Sequence, residues 1–337
     1  MHLSESARVV FDVLAGAGTA TRPQLAAGAG LSKPTVSTAV AELEAVELAA
    51  HSGRASGGTG RSAAVYRLGP AAGAVLAVDL GPATTRVRSC ALDGTLLAEG
   101  TGTRAEAAGT VRKVLDGLPA GAPLRAVVVA VGDVTTRDGE GAGERPATAK
   151  AGPVFDAMAV ALPEGVPVHL ENNVNCAALA ELHEGAAVGR ETFGYLRIGV
   201  GIGLAVVIGG RVLRGANGAA GEVARLPYPW DESRAPHHEG LEQRMGSRTL
   251  LRRAAEAWQQ ADGPRPPTAE RLLALAGQGH ATARSVIDAH AADVGRLAAA
   301  VAAVLDLVVA GAAAPAHAAY DPANVTPTSL NGAVNAL

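Results

Sequence analysis

Cysteine, lysine and aromatic side chains are all scarce in this chain. The two cysteines among 337 residues, Cys90 and Cys176, lie far apart in apolar surroundings. Two thiols cannot build a disulfide framework or a thiolate-rich zinc site, so they read as buried free thiols in a reducing compartment. Aromatics are 3% of residues, so the cores must be built from Ala, Val and Leu. Lysine occurs only at Lys33, Lys113 and Lys150 and arginine carries the remaining positive charge, a bias read as gene base composition rather than function. There is no large excess of either charge: the net value is −3, so nucleic-acid binding needs a local patch rather than a polycation. No basic segment precedes an apolar run at the start, so no signal peptide is expected. The longest apolar stretch, 297–314, is rich in Ala and Gly and contains Asp306. It reads as a core helix running into a buried strand, not a membrane span, and a cytoplasmic location is expected.

What is present suggests two or three domains. Residues 1–70 read as a separate module. Val9, Val10, Val13 and Leu14 mark a first helix. Thr21, with Pro23 behind it, starts a second, which turns at Gly28 to Leu31. Ser32 caps a third, with Pro34 in its first turn and Val36, Val40, Leu43 and Val46 on one face. Helix, glycine-containing turn, helix is the helix-turn-helix pattern. The exposed face of the last helix presents Ser32, Lys33, Thr35, Ser37 and Thr38, short donors and one cation suited to phosphate and base-edge contacts. The same face also fits an ordinary solvated helix. The Gly/Ser-rich segment 51–61, followed by a strand at 64–68, reads as a wing whose Arg54 and Arg61 can track phosphates, or else as a linker. Six basic and five acidic residues nearly balance in the module, and tight operator binding implies two copies.

From Ala74 onward strands alternate with helices. Residues 75–81 form a buried strand ending in Asp79 and Gly81, and a second strand over 85–92 turns at Asp93-Gly94. Further strands are expected at 126–131 and 166–170, the latter running into Glu171-Asn172-Asn173 and an Ala-rich helix. A strand from Tyr195 ends in the turn Gly199-Val200-Gly201-Ile202-Gly203. With Gly218-Ala219-Ala220-Gly221-Glu222, these motifs resemble, in order, those of the ROK family of sugar kinases and repressors. That resemblance implies an α/β actin-like (ASKHA) two-lobed body over 71–337, with lobes at 71–165 (plus the C-terminal tail) and 166–300. It also implies a mostly α-helical N-terminal winged helix-turn-helix.

The departures from the family pattern bear on chemistry. Phosphoryl transfer needs a base for the sugar hydroxyl and donors for the phosphates. The family's Asp after Glu-Asn is here Asn173, whose amide cannot accept a proton at neutral pH. The first phosphate loop, Asp79-Leu80-Gly81-Pro82-Ala83, has Ala83 where a hydroxyl is expected, with Thr84 or Thr85 as partial substitutes. Val200 removes a second hydroxyl between Gly199 and Gly201. Arg225 stands in place of a zinc-binding His, and the cysteines of the family's metal segment are absent around His237-His238-Glu239. No metal and no cofactor is therefore expected. Asn172, Asn173, Glu222 and Glu242 match family sugar-contact positions, although the loop from Gly132 to Lys150 contains no Asn. The resulting expectation is a DNA-binding regulator with a degenerate kinase body and no kinase activity. It acts as a homodimer or higher oligomer on double-stranded operator DNA, with a sugar or sugar-phosphate effector as one option and none as the other. The alternatives are an ATP-dependent sugar kinase with a fused DNA-binding module, and a structural pseudokinase.

Overall fold

The computed structural model describes residues 3–55, 63–132, 152–229, 235, 237, 240–305 and 309–312. They divide into two compact units, within Met1–Asn173 and within Val174–Val325.

The first unit opens with α1 (Glu5–Ala17), β1 (Thr19–Thr21), α2 (Arg22–Ala29), α3 (Lys33–Ala45), β2 (Ala49–Ala55) and β3 (Ala63–Leu68). Each helix begins where a side chain satisfies its unpaired amides. Ser4 Oγ accepts from Ala7 N–H at 3.1 Å, and Ser32 Oγ from Thr35 N–H at 3.3 Å. Gln24 Oε1 accepts from both the amide and the hydroxyl of Thr21, each at 2.8 Å. Gly18 and Gly30 follow α1 and α2 at φ 68° and 64°, a region that disfavours a Cβ. Ala7, Val10 and Leu14 pack with Leu25, Val36, Val40 and Leu43. Val9 faces solvent instead, because the inward face of α1 is taken by the 7, 10, 14 stripe. The three strands form an antiparallel sheet in the order β1-β3-β2. Strand β2 continues to Ala55, five residues into the segment expected to be the wing tip. A register shift between His51 and Gly53 leaves Ser52 as the extra residue without ending the pairing.

The exit from this module is anchored to the neighbouring sheet. Arg125 donates to the carbonyls of Ala71 and Ala72 at 2.6 and 2.9 Å, and Ala72 and Leu92 complete the module's core. That sheet has five strands, β4 (Ala74–Leu80), β5 (Thr84–Ala91), β6 (Leu96–Thr103), β7 (Leu124–Val131) and β8 (Val168–Asn172), in the order β6-β5-β4-β7-β8. Helices α4 (Ala107–Asp116) and α5 (Gly152–Ala159) bury Val111, Val114, Phe155 and Met158 against its Val-rich strands. Strand β8 lies parallel to β7, from Val127↔Val168 to Val131↔Asn172. That pairing carries the first unit past the expected boundary at 165.

Beyond Asn173, the first residue of α6 (Asn173–Glu184), the second unit contains the rest of that helix, β9 (Phe193–Ile198), β10 (Ile202–Ile208), β11 (Arg211–Val212), α7 (Gly240–Met245), α8 (Ser247–Ala257), α9 (Ala269–Gly277), α10 (Ala281–Leu305) and β12 (Val309–Ala312). Its sheet order is β11-β10-β9-β12. Both body sheets therefore repeat one topology: an antiparallel meander of three strands, then a strand returning parallel beside the first. The apolar stretch after residue 297 is the end of α10 followed by β12. Among the described residues, no helix is long and apolar enough to cross a membrane.

Candidate functional site

The face of α3 is built by its cap. Ser32 and Thr35 share a hydroxyl–hydroxyl bond of 2.7 Å, and Thr38 donates to the Pro34 carbonyl at 3.3 Å. A hydroxyl has one hydrogen and two lone pairs, so an engaged Thr38 offers mainly acceptance to an outside group. Lys33 and Ser37 project from the exposed side of the same turns, while Val36, Ala39 and Val40 hold the opposite side in the core. Arg54 is exposed on β2, opposite Ala64. Arg61 lies outside the described residues.

Sequence reasoning left Arg22 out of this face. Its guanidinium lies 5.0 Å from the Tyr66 ring centroid, and His51 meets the same ring edge-on at 5.9 Å. Helix α2 is thereby joined to the three-stranded sheet. No local motif signals this, because Tyr66 comes from a strand far along the chain.

In the first body sheet, β4 delivers Asp79 opposite Arg86 and ends at the Gly81-Pro82-Ala83 turn. A Cβ on Gly81 would lie 2.9 Å from the Thr84 carbonyl oxygen, so the turn is tight. Arg104 clamps it: Nη1 donates to the carbonyls of Leu80 (3.1 Å) and Gly81 (2.8 Å), and its own amide donates to Ala83 O at 2.9 Å. Thr85 is fully buried and its hydroxyl has no partner among the described residues, so it cannot replace the hydroxyl missing at Ala83; of the two threonines Thr84 is exposed. Glu171 is buried at the end of β8 and accepts the Asn172 amide at 2.8 Å. Asn173 opens α6, and its Nδ2 would sit 3.6 Å from a Cβ on Gly132. The loop beyond Gly132, which contains no Asn, lies outside the described residues.

In the second unit, the Gly199 amide donates to Gly201 O at 2.9 Å, and Gly199 O accepts from Ser247 N–H at 2.8 Å. A Cβ on Gly246 would meet Val200 O at 2.8 Å, and one on Gly201 would meet Glu242 Oε2 at 3.2 Å. The turn and the junction of α7 with α8 thus press backbone on backbone, with the Glu242 carboxylate at their rim. A Cβ on Gly203 would meet Val174 Cγ2 at 2.5 Å, which brings α6 onto β10. Glu222 follows Gly221, whose φ of 84° and contact with the Leu204 carbonyl leave no room for a side chain. Its Oε2 is paired with Arg225 Nε at 3.4 Å, so the residue standing at the family's His position neutralises a candidate sugar contact. The structure brings Glu242 to the 199–203 turn and Glu222 to Arg225, whereas Asn172 and Asn173 belong to the other unit. His237 Nε2 is 3.1 Å from Gln243 Oε1. Among the described residues no three His, Cys, Asp or Glu side chains converge to hold a metal; His238 and Glu239 lie outside those residues.

A family model described as "ROK family" matches residues 125–325. A glucokinase of Halalkalibacterium halodurans is 38% identical over 61 residues, 18% of this chain and 18% of the relative. A putative xylose repressor of a Caldicellulosiruptor species is 38% identical over 68 residues, 20% of this chain and 17% of the relative. The aligned stretches thus span about a fifth of these curated relatives' length. Among solved structures, a ROK family transcriptional regulator, a homologue of the Escherichia coli MLC protein, superposes with a TM-score of 0.61 at 20% identity. That superposition covers 89% of this chain and 79% of the other, and at such identity it carries the fold.

Proposed function

From the premise that the chain belongs to the ROK family, we propose that it is a DNA-binding transcriptional repressor. Its N-terminal module, residues 1–70, is a winged helix-turn-helix, and its actin-like body has lost phosphoryl transfer. The observation that carries the reading is the α3 face. A capped helix turns Lys33, Ser37 and Thr38 outward beside a sheet that carries Arg54, with its opposite side anchored in a closed apolar core. In this reading α3 enters the major groove, Lys33 reaches a phosphate or guanine, and Arg54 and Arg61 on the wing meet the backbone. Two copies bind a double-stranded operator with pseudo-two-fold symmetry.

The case against kinase chemistry rests on residues. Asn173 cannot take a proton, Ala83 and Val200 supply no hydroxyl, Thr85 is buried, and Arg104 holds the carbonyls of the first loop. The body then works as a scaffold and needs no cofactor or metal. If an effector binds, it is a sugar or sugar phosphate held by Asn172, Asn173, Glu222 and Glu242, whose carboxylates and amides suit a hydroxyl array. The second reading, an active sugar kinase with a fused DNA-binding module, is favoured by the similarity to a glucokinase.

The test uses the full-length protein on DNA fragments recovered by genomic footprinting. Fluorescence anisotropy should show saturable, sequence-dependent binding that weakens in Lys33→Ala and Arg54→Ala. Equal affinity for the variants and the parent would move DNA reading away from this module. A coupled ATPase assay with a hexose panel should stay at the blank. Turnover of any hexose would establish the second reading.

A further inference from the structure

Three helices of the second unit bring an unusual set of charges to one place. Asp293 of α10, only 9% exposed at its side chain, accepts from Arg244 of α7 (Nε, 2.9 Å), Arg253 of α8 (Nη1, 3.1 Å) and Arg296 of α10 (Nη1, 3.0 Å). Three guanidiniums against one carboxylate leave a surplus of two positive charges (3 − 1). Among the described residues no other carboxylate pairs with these arginines; the nearby Glu256 is engaged by Arg252. His290, one turn before Asp293, adds no charge. Burial, then the charge of Arg253, hold its imidazole below the usual value, against the opposing pull of Asp293.

Clustered like charges that are partly desolvated repel, and removal from water raises that cost. Two buried nitrogens here also have no hydrogen-bond partner among the described residues: Arg253 Nη2 and His290 Nδ1. A guanidinium N–H is always a donor, and a neutral imidazole can place its hydrogen on Nδ1. The cluster therefore has surplus positive charge, one buried guanidinium donor lacking an acceptor, a buried imidazole nitrogen able to donate, and an opening to solvent where Arg244 and Arg296 are 41% and 75% exposed. A carboxylate ligand would use two oxygens, whereas a tetrahedral oxyanion can accept from several guanidiniums at once.

We propose that Arg244, Arg253, Arg296 and His290, arranged around Asp293, form a binding site for a phosphate group, either free phosphate or the phosphate of a small phosphorylated metabolite. The anion enters between the exposed Arg244 and Arg296, whose side chains swing to admit it, and it lowers the charge surplus. The site lies wholly within the second unit and involves none of the residues assigned to sugar or DNA.

Isothermal titration of the full-length protein without DNA tests this, at constant ionic strength balanced with chloride. Inorganic phosphate should bind saturably with one equivalent per chain. Arg296→Gln, at an exposed position that leaves the core intact, should weaken binding about tenfold, the scale of one charge-assisted hydrogen bond. The Arg244→Gln/Arg296→Gln double variant should abolish it. Tighter binding of glucose 6-phosphate than of phosphate, abolished in the double variant and with glucose inert, assigns the site to a phosphorylated metabolite; equal binding assigns it to free phosphate. Heats no larger than those of matched chloride, or unchanged affinity in the double variant, would overturn the proposal. Because no DNA is present, failure here leaves the repressor reading standing, and failure of that reading leaves this site standing.

Discussion

Glu42 illustrates how much a single exposed side chain can organise. Its carboxylate accepts the Ser4 hydroxyl at 2.7 Å and the Ser4 amide at 2.8 Å, tying the start of α1 to α3. Those two bonds, the side-chain one first, hold its carboxyl below the ordinary 4.5. A carboxylate whose pKa is lower folded than unfolded contributes stability that is present above 4.5 and lost as pH falls through the folded value. Glu42→Gln should therefore lower Tm at neutral pH, and the gap to the parent should narrow as pH falls below 4.5 and through the folded value in melts followed by circular dichroism. Cys90 gives the opposite case: burial pushes its thiol up to about 11. A thiol reagent at pH 8 should modify it only as the protein unfolds, since the thiolate is the nucleophile. At this scale the sequence shows where the chain departs from the family pattern, such as Asn173 directly after Glu171-Asn172. It does not show what has moved in. Arg104 reaches the first loop from beyond β6, Arg22 finds Tyr66 across a sheet, and Asp293 collects arginines from two other helices. Each is a long-range contact with no local spacing to betray it.

Individual elements are more legible, because caps and periodicity are local. The second and third helices of the module start at the expected Thr21 and Ser32, and the first follows Ser4. The strand ends that carry Asp79 and Asn172, and the turn after β9, also fall where the motifs put them. Strand β1, strand β6 and helices α4, α5 and α7 to α9 are not evident from the sequence. They are short, or mix small and charged residues without a clear period. The end of α3 hides another feature: Glu47 adopts φ 57°, closing the helix in a conformation that costs a side chain about 1–2 kcal/mol. Its backbone supplies the important contacts, with Ala71 N–H donating to Glu47 O at 3.0 Å. Glu47→Gly should thus stabilise the chain, by about 0.5–1 kcal/mol after the extra unfolded-state freedom of glycine is counted. Gly221→Ala should do the reverse. A Cβ there strikes the Leu204 carbonyl at φ 84°, and denaturant unfolding should show a loss of about 2 kcal/mol or more.

The molecule as a whole carries a net charge of −3, so its field does not favour DNA, and the repressor reading depends on a few cations in one place. That makes salt dependence a sharp test. Each phosphate neutralised releases condensed counterions, and the slope of log K against log salt falls by about 0.9 per phosphate contact. Arg54 is exposed on β2, so in the repressor reading Arg54→Ala should weaken operator and random DNA alike and flatten the slope by about one contact per bound copy. Lys33 stands in the first turn of α3, on the side turned away from the core, and in the repressor reading its side chain reaches the groove floor or its edge. If it reads guanine, Lys33→Ala should relax preference at one base pair of each half-site by about 1–3 kcal/mol and leave random DNA less affected. If it touches phosphate, its signature should match that of Arg54. Because both copies of a dimer carry each change, the full-site effect should be about twice that on an isolated half-site. Anisotropy titrations at several salt concentrations, on full sites and half-sites, separate these outcomes. A parent protein whose slope is near zero would mean that the α3 face does not meet DNA at all, since even non-specific binding by so few cations must release ions.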